Sequence, residues 1–135
     1  MYICTKIIMK NHYIFWGCIL AALSVAFGAL GAHYVKENFS EYSAGIFDTA
    51  AKFQMYHAIA IILLGLVAER KKHMSFLLPA IFFGLGILCF SGSLYLLAVR
   101  SAFAVNLSFL GPITPLGGLF FMAAWIIFAI KAIKI

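Results

Sequence analysis

A chain of 135 residues that is 65% hydrophobic and only 10% charged does not fold as a water-soluble domain. Such domains are roughly 45–50% apolar and about 25% charged, and no core of this size could hide the surplus apolar surface. The formal net charge of +6 does not mark a nucleic-acid binder either, because the Lys and Arg residues sit at the edges of apolar runs and form no basic stripe.

Residues 1–12 read as a cytoplasmic leader, within which Met9 offers an alternative start. The first apolar run, Tyr13 to Ala32, has twenty residues and no charge. At about 1.5 Å per residue it reaches across the roughly 30 Å of a hydrocarbon core. Lys6 and Lys10 before it, with Gly31 and Ala32 at its end, also resemble a signal peptide. The run exceeds the usual apolar region of about 7 to 15 residues, so an uncleaved first helix is expected. Residues 33–52 hold three of the four acidic side chains, Glu37, Glu41 and Asp48, and are expected as an amphipathic loop or helix on the outer side.

The second run, Phe53 to Ala68, is short. The residues before it contain no Pro, so one helix is expected from about Ser43, with Ser43 as its N-cap. Asp48 and Lys52 stand at i, i+4 on one face; Ala50, Gln54 and His57 share another. The cluster Glu69-Arg70-Lys71-Lys72-His73 makes a turn. The third run, Phe76 to Val99, tolerates Pro79 in its first turn and ends at Arg100. In the last run, Phe109 to Ile130, Thr114 and Pro115 read as an N-cap and first helical residue. Pro112 and Pro115 break the chain, so an extended segment over Leu110 to Ile113 is expected before the helix. The expected spans are 13–32, 53–68, 76–99 and 110–130, with a short tail at 132–135.

The predicted fold is therefore all-α: an integral membrane protein with four transmembrane helices in an antiparallel bundle. With both termini cytoplasmic, the inner flanks carry seven Lys and Arg residues against three on the outer side, as the positive-inside rule requires. The same topology places Trp16 and Trp125 at the inner interface and Tyr34, Tyr56 and Tyr95 at the outer one. The expected location is the inner (plasma) membrane, with the lipid bilayer as the first partner.

Small residues mark candidate helix contacts: Ser24, Gly28 and Ala32 at i+4 spacing with Gly31 beside them, Gly84 and Gly92 in the third run, and Gly117 and Gly118 in the fourth. Ser91, Ser93 and Thr114 are candidates to line a small cavity. Cys4, Cys18 and Cys89 are odd in number and lack CxxC spacing, so no closed disulfide framework is expected. Cys18 and Cys89 read as small buried hydrophobes. His33 and His57, with Asp48, Gln54 and Tyr56, form the candidate ligand or proton site near the outer interface. No HxxxH or HExxH spacing occurs, so no metal and no cofactor is expected. GxSxG, P-loop and dinucleotide fingerprints are likewise missing from the sequence, and the apolar runs hold no Asp, Glu, Lys or Arg, which argues against enzyme or pump chemistry.

Four ordered segments resemble a known family: Gly28-Ala29-Leu30-Gly31-Ala32-His33, then Thr49 to Ala58 (TAAKFQMYHA), then Ser91-Gly92-Ser93-Leu94-Tyr95, and Ile113-Thr114-Pro115-Leu116-Gly117-Gly118. Together they are similar to the domain of unknown function 423 family, whose relatives include the transmembrane protein 256-like proteins. The resemblance covers about Tyr13 to Ile130 and implies a small four-span inner-membrane protein with an uncleaved first helix. It implies no activity. It points to Gly31, His33, Gln54, Tyr56, His57, Thr114, Pro115, Gly117 and Gly118 as candidate positions without assigning a role to any. The expected function is that of a non-enzymatic structural or partner-binding membrane subunit, as a homo-oligomer or with another membrane protein. The alternative is a small-molecule, proton or metal binding or transport module using His33, Gln54 and His57.

Overall fold

The computed structural model describes residues 2–71, 73–103 and 106–133, with side chains from His12 onward. Its elements are helices α1 (Tyr2–Leu30), α2 (Lys36–Asn38), α3 (Glu41–Arg70), α4 (Leu77–Gly86), α5 (Ser93–Ala98) and α6 (Ile113–Ile133). A π-helical segment, Gly31–Val35, joins α1 to α2, and a second, Ile87–Gly92, joins α4 to α5. The result is four membrane-length helical spans: His12–Asn38, Glu41–Arg70, Leu77–Ala98 and Ser108–Ile133. The leader is helical from Tyr2 and runs without a break into the first span.

The segment expected as an outer amphipathic loop or helix is almost entirely helical. The first span continues to Asn38, the chain turns over the extended residues Phe39 and Ser40, and α3 begins at Glu41. The cap is Ser40 rather than Ser43: its hydroxyl oxygen accepts the Ser43 main-chain N–H at 3.1 Å. Glu41 in the first turn adds a favourable charge at the helix N-terminus. The fourth span also starts differently from the expectation. Leu110 to Ile113 is not extended; it closes a 3-10 turn over Ser108–Leu110 and passes through Gly111 directly into α6 at Ile113. Thr114 therefore lies inside the helix and does not cap it. Pro115, in the first turn, lacks only an N–H that the helix would leave unpaired there.

Successive spans run antiparallel. The second is the most enclosed, with 50% of its most apolar stretch buried against 17%, 28% and 22% for the first, third and fourth. It packs along the first span on one side and against the third on the other, and the fourth packs along the third. Two apolar clusters result. A large one centres on Leu64, Phe76, Phe83, Phe121 and Phe128. A smaller one joins Val35, Phe47 and Ala98 at the opposite end.

Glycine sets the distance between helices where the first span meets the second and where the third meets the fourth. A Cβ on Gly17 would collide with Ile62 and the Ala58 carbonyl, one on Gly65 with Ile14 and Tyr13, and one on Gly31 with the Phe47 ring. In the third and fourth spans the contact is reciprocal: Gly86 receives the Phe121 ring, and Gly117 lies against the main chain of Phe90. Lipid is as apolar as the side chains, so close packing of this kind, rather than expulsion of water, holds membrane helices together.

The contact face of the first span is therefore Gly17, Ser24 and Gly31, a strict seven-residue repeat, and not the i+4 series Ser24, Gly28, Ala32. Gly28, Gly84 and Gly118 have open space where a Cβ would stand, and Gly92 has only a loose main-chain neighbour. Cys18 faces outward and Cys89 is half-buried, so the expectation of two buried thiols fails. Both lie among apolar neighbours, where lipid solvates a thiol as well as a packed core does.

Candidate functional site: the polar groups inside the bundle

The inward face of the second span carries Ala50, Gln54, His57, Ala58 and Ile61, all buried. The periodicity that grouped Ala50, Gln54 and His57 follows from the straight α3 helix. A carboxamide at this depth must find partners within the protein. Gln54 finds two: its Nε2 donates to the Leu20 carbonyl at 2.8 Å, and its Oε1 accepts from the Tyr95 hydroxyl at 3.1 Å. One side chain thus ties the second span to both the first and the third. One turn away, the Ser24 hydroxyl donates to the Ala51 carbonyl at 2.8 Å.

Tyr95 does not stand in an aromatic belt. Its ring lies between Phe27 and Phe47, with ring centroids 4.8 and 4.7 Å away, and its hydroxyl points to Gln54. Burial of the ring between two spans makes that hydrogen bond the only way to satisfy its polar end.

His57 is held differently. Its Nδ1–H donates to the Phe53 carbonyl at 2.7 Å, one turn back on the same helix. Its ring stacks on Phe121 of the fourth span, with centroids 3.4 Å apart and planes 7° from parallel. Trp125 approaches the same imidazole at 6.3 Å between centroids, while much of its indole stays exposed on the outside of the bundle.

Between the third and fourth spans, the Ser93 and Thr114 hydroxyls are 2.7 Å apart. Ser93 also donates to the Phe90 carbonyl at 3.0 Å. The two groups bond directly across the contact. Ser91, fully enclosed in the second π segment, has no hydrogen-bond partner for its hydroxyl among the described residues.

The five residues proposed as a ligand or proton site are not brought together. Gln54 and His57 share the inward face. Tyr56 points outward, and Asp48 is paired with Lys52 at 2.6 Å on the exposed side of the helix. His33 is exposed in the first π segment. Its neighbour Gly31 packs on Phe47, which is ten residues, or about 15 Å along the helix, from His57. Among the described residues no group of three or more His, Cys, Asp or Glu converges as a metal site would require. Sequence reasoning did not find the hydrogen-bonding use of Tyr95, the Leu20 carbonyl or the Phe121 platform, because each depends on which residue faces it across the bundle. The tyrosine's place on the Ser91-Tyr95 face was the available signal.

Comparison with known proteins agrees with this architecture. A family model described as "Protein of unknown function (DUF423)" matches residues 27–118. The chain is 35% identical over 124 residues to the UPF0382 membrane protein YwdK of Bacillus subtilis, covering 90% of this chain and 96% of that protein. It is 34% identical over 121 residues to the UPF0382 inner membrane protein YgdD of Escherichia coli, covering 87% and 88%. A UPF0382 membrane protein of Staphylococcus epidermidis is 33% identical over 123 residues, covering 90% and 95%. No solved structure matches the chain. Four membrane-length helices and relatives carried in bacterial inner membranes make this a multi-pass inner-membrane protein, and the chain belongs to the DUF423 family.

Proposed function

We propose that the chain is a non-enzymatic membrane subunit, a four-span scaffold that associates laterally with a second copy or with another membrane protein. One observation carries this reading: the polar side chains at membrane depth are used to join the spans to one another, while Gly28 and Gly118 face open space. Gln54, Tyr95, Ser24, Ser93 and Thr114 each bond across a helix pair. Gly28 and Gly118 have nothing within 4 Å of a notional Cβ, whereas Gly31 and Gly117 beside them are occupied from within the chain. An unoccupied glycine on a membrane helix lets another backbone approach closely.

The arrangement of spans supports the same reading. The fourth span packs mainly along the third and presents Leu116, Leu119, Met122, Ile126 and Ile130 outward. The Lys and Arg distribution supports an orientation with both termini cytoplasmic.

Blue native electrophoresis of solubilised membranes tests the proposal with Gly28→Leu and Gly118→Leu. A Leu at either position fits the isolated bundle, so the helical fold is retained, and the complex is expected to shift to a smaller species. A complex of unchanged size in both variants contradicts the proposal.

A further inference from the structure

The first and third spans touch at one end only. Phe27 meets Tyr95 there, and Val35 shares a buried cluster with Ala98. Towards the other end they diverge and leave an open-sided cleft of about 300 Å³. Tyr13, Trp16 and Leu20 form one wall, Ala80, Ile81 and Gly84 the other, and Ile61 of the second span lies at its back. The walls are apolar apart from His12, which stands at the mouth.

The dimensions limit what can enter. Tyr13 to Leu20 is eight residues, about 10 Å of helix from first to last, so the cleft is short. The cleft is small and apolar enough to seat one extended hydrocarbon chain. Its long axis follows the spans, the direction in which lipid chains lie.

The mouth opens at the basic end of the molecule. At this end of the bundle Arg70 closes the second span, with Lys71 next in the chain, and Lys131, whose ammonium donates to the Ser75 carbonyl at 2.8 Å, lies in the last turns of the fourth. Glu69 is the single acidic residue at this end of the described chain; the other three, Glu37, Glu41 and Asp48, lie towards the opposite end. Basic clusters flanking a gap between membrane helices favour anionic lipid headgroups.

We propose that this cleft is a binding site for an anionic phospholipid, with one acyl chain seated between the first and third spans and the phosphate at the mouth near His12 and Arg70. The site is independent of the lateral contacts at Gly28 and Gly118.

Native mass spectrometry of the purified protein in mild detergent, titrated with phosphatidylglycerol or with phosphatidylcholine of the same chains, is the test. One phosphatidylglycerol per chain is expected to be retained, at least tenfold more tightly than phosphatidylcholine. Gly84→Leu, which has open space for its side chain, should fill the cleft and lower retention of both lipids about tenfold with unchanged circular dichroism. Arg70→Gln should remove most of the headgroup preference while leaving chain binding. Equal retention of the two lipids by the wild type overturns the proposal, as does phosphatidylglycerol binding indifferent to Gly84→Leu. So does a disulfide-linked dimer formed through Ile81→Cys, which would assign the cleft to a second copy.

Discussion

At the scale of single residues, the energy of the bundle rests on a few contacts that cannot be exchanged. Gln54 makes two interhelical hydrogen bonds, and such bonds are worth on average about 0.6 kcal/mol each within membranes. Gln54→Leu should therefore cost roughly 1 kcal/mol and leave the Tyr95 hydroxyl without its partner. Adding Tyr95→Phe should restore part of the loss, giving a coupling measurable by a double-mutant cycle on unfolding in mixed micelles; additive losses would mean that the two side chains do not interact. Ser91 is the opposite case. Its buried hydroxyl has no partner among the described residues, so Ser91→Ala should leave stability unchanged or raise it in the same assay, and a loss above about 1 kcal/mol would reveal a bond that the hydroxyl makes. Adjacent glycines differ as sharply. Gly117→Ala places a methyl group against the Phe90 main chain and should cost about 1–3 kcal/mol, while Gly118→Ala should change the stability of the isolated bundle by less than about 0.5 kcal/mol.

At the scale of helices, the existence and type of each span were legible in the sequence because uncharged apolar runs of sixteen to twenty-four residues have one solution in a bilayer. The inward faces were less so. In water the buried face of a helix announces itself by contrast with a polar one. Here Leu23, Val25 and Leu30 face lipid and are as apolar as anything inside, so only the small and polar residues carry information. Gln54 and His57 were legible on that basis. The Gly17-Ser24-Gly31 repeat was overlooked for the i+4 series, although a seven-residue repeat is what antiparallel helices crossing at a shallow angle require. The caps were misplaced by local rules of equal strength, since Ser40 and Ser43 both qualify and only the extended Phe39-Ser40 turn decides between them. Ser40→Ala should accordingly cost about 1 kcal/mol and Ser43→Ala much less, read by the same unfolding assay. Equal effects would place the helix start at Ser43. The π segments at Gly31–Val35 and Ile87–Gly92 had no sequence signature beyond their small residues.

At the scale of the molecule, the spans and the relatives agree on a four-helix inner-membrane protein, and the distribution of Lys and Arg is the basis on which we propose that both ends are cytoplasmic. Alkaline phosphatase fused after the last residue should be inactive, and a fluorescent protein at the same place bright; the reverse pattern would invert the topology and move the cleft's basic mouth to the outer leaflet. The central claim is lateral association through surfaces that the bundle leaves unoccupied. Its most direct measurement is recovery of a tagged copy from native membranes in mild detergent, with every co-purifying protein quantified by mass spectrometry. A stoichiometric untagged copy or membrane partner, lost on Gly28→Leu or Gly118→Leu, is the predicted result. A chain recovered alone, or a complex indifferent to both substitutions, would contradict the account.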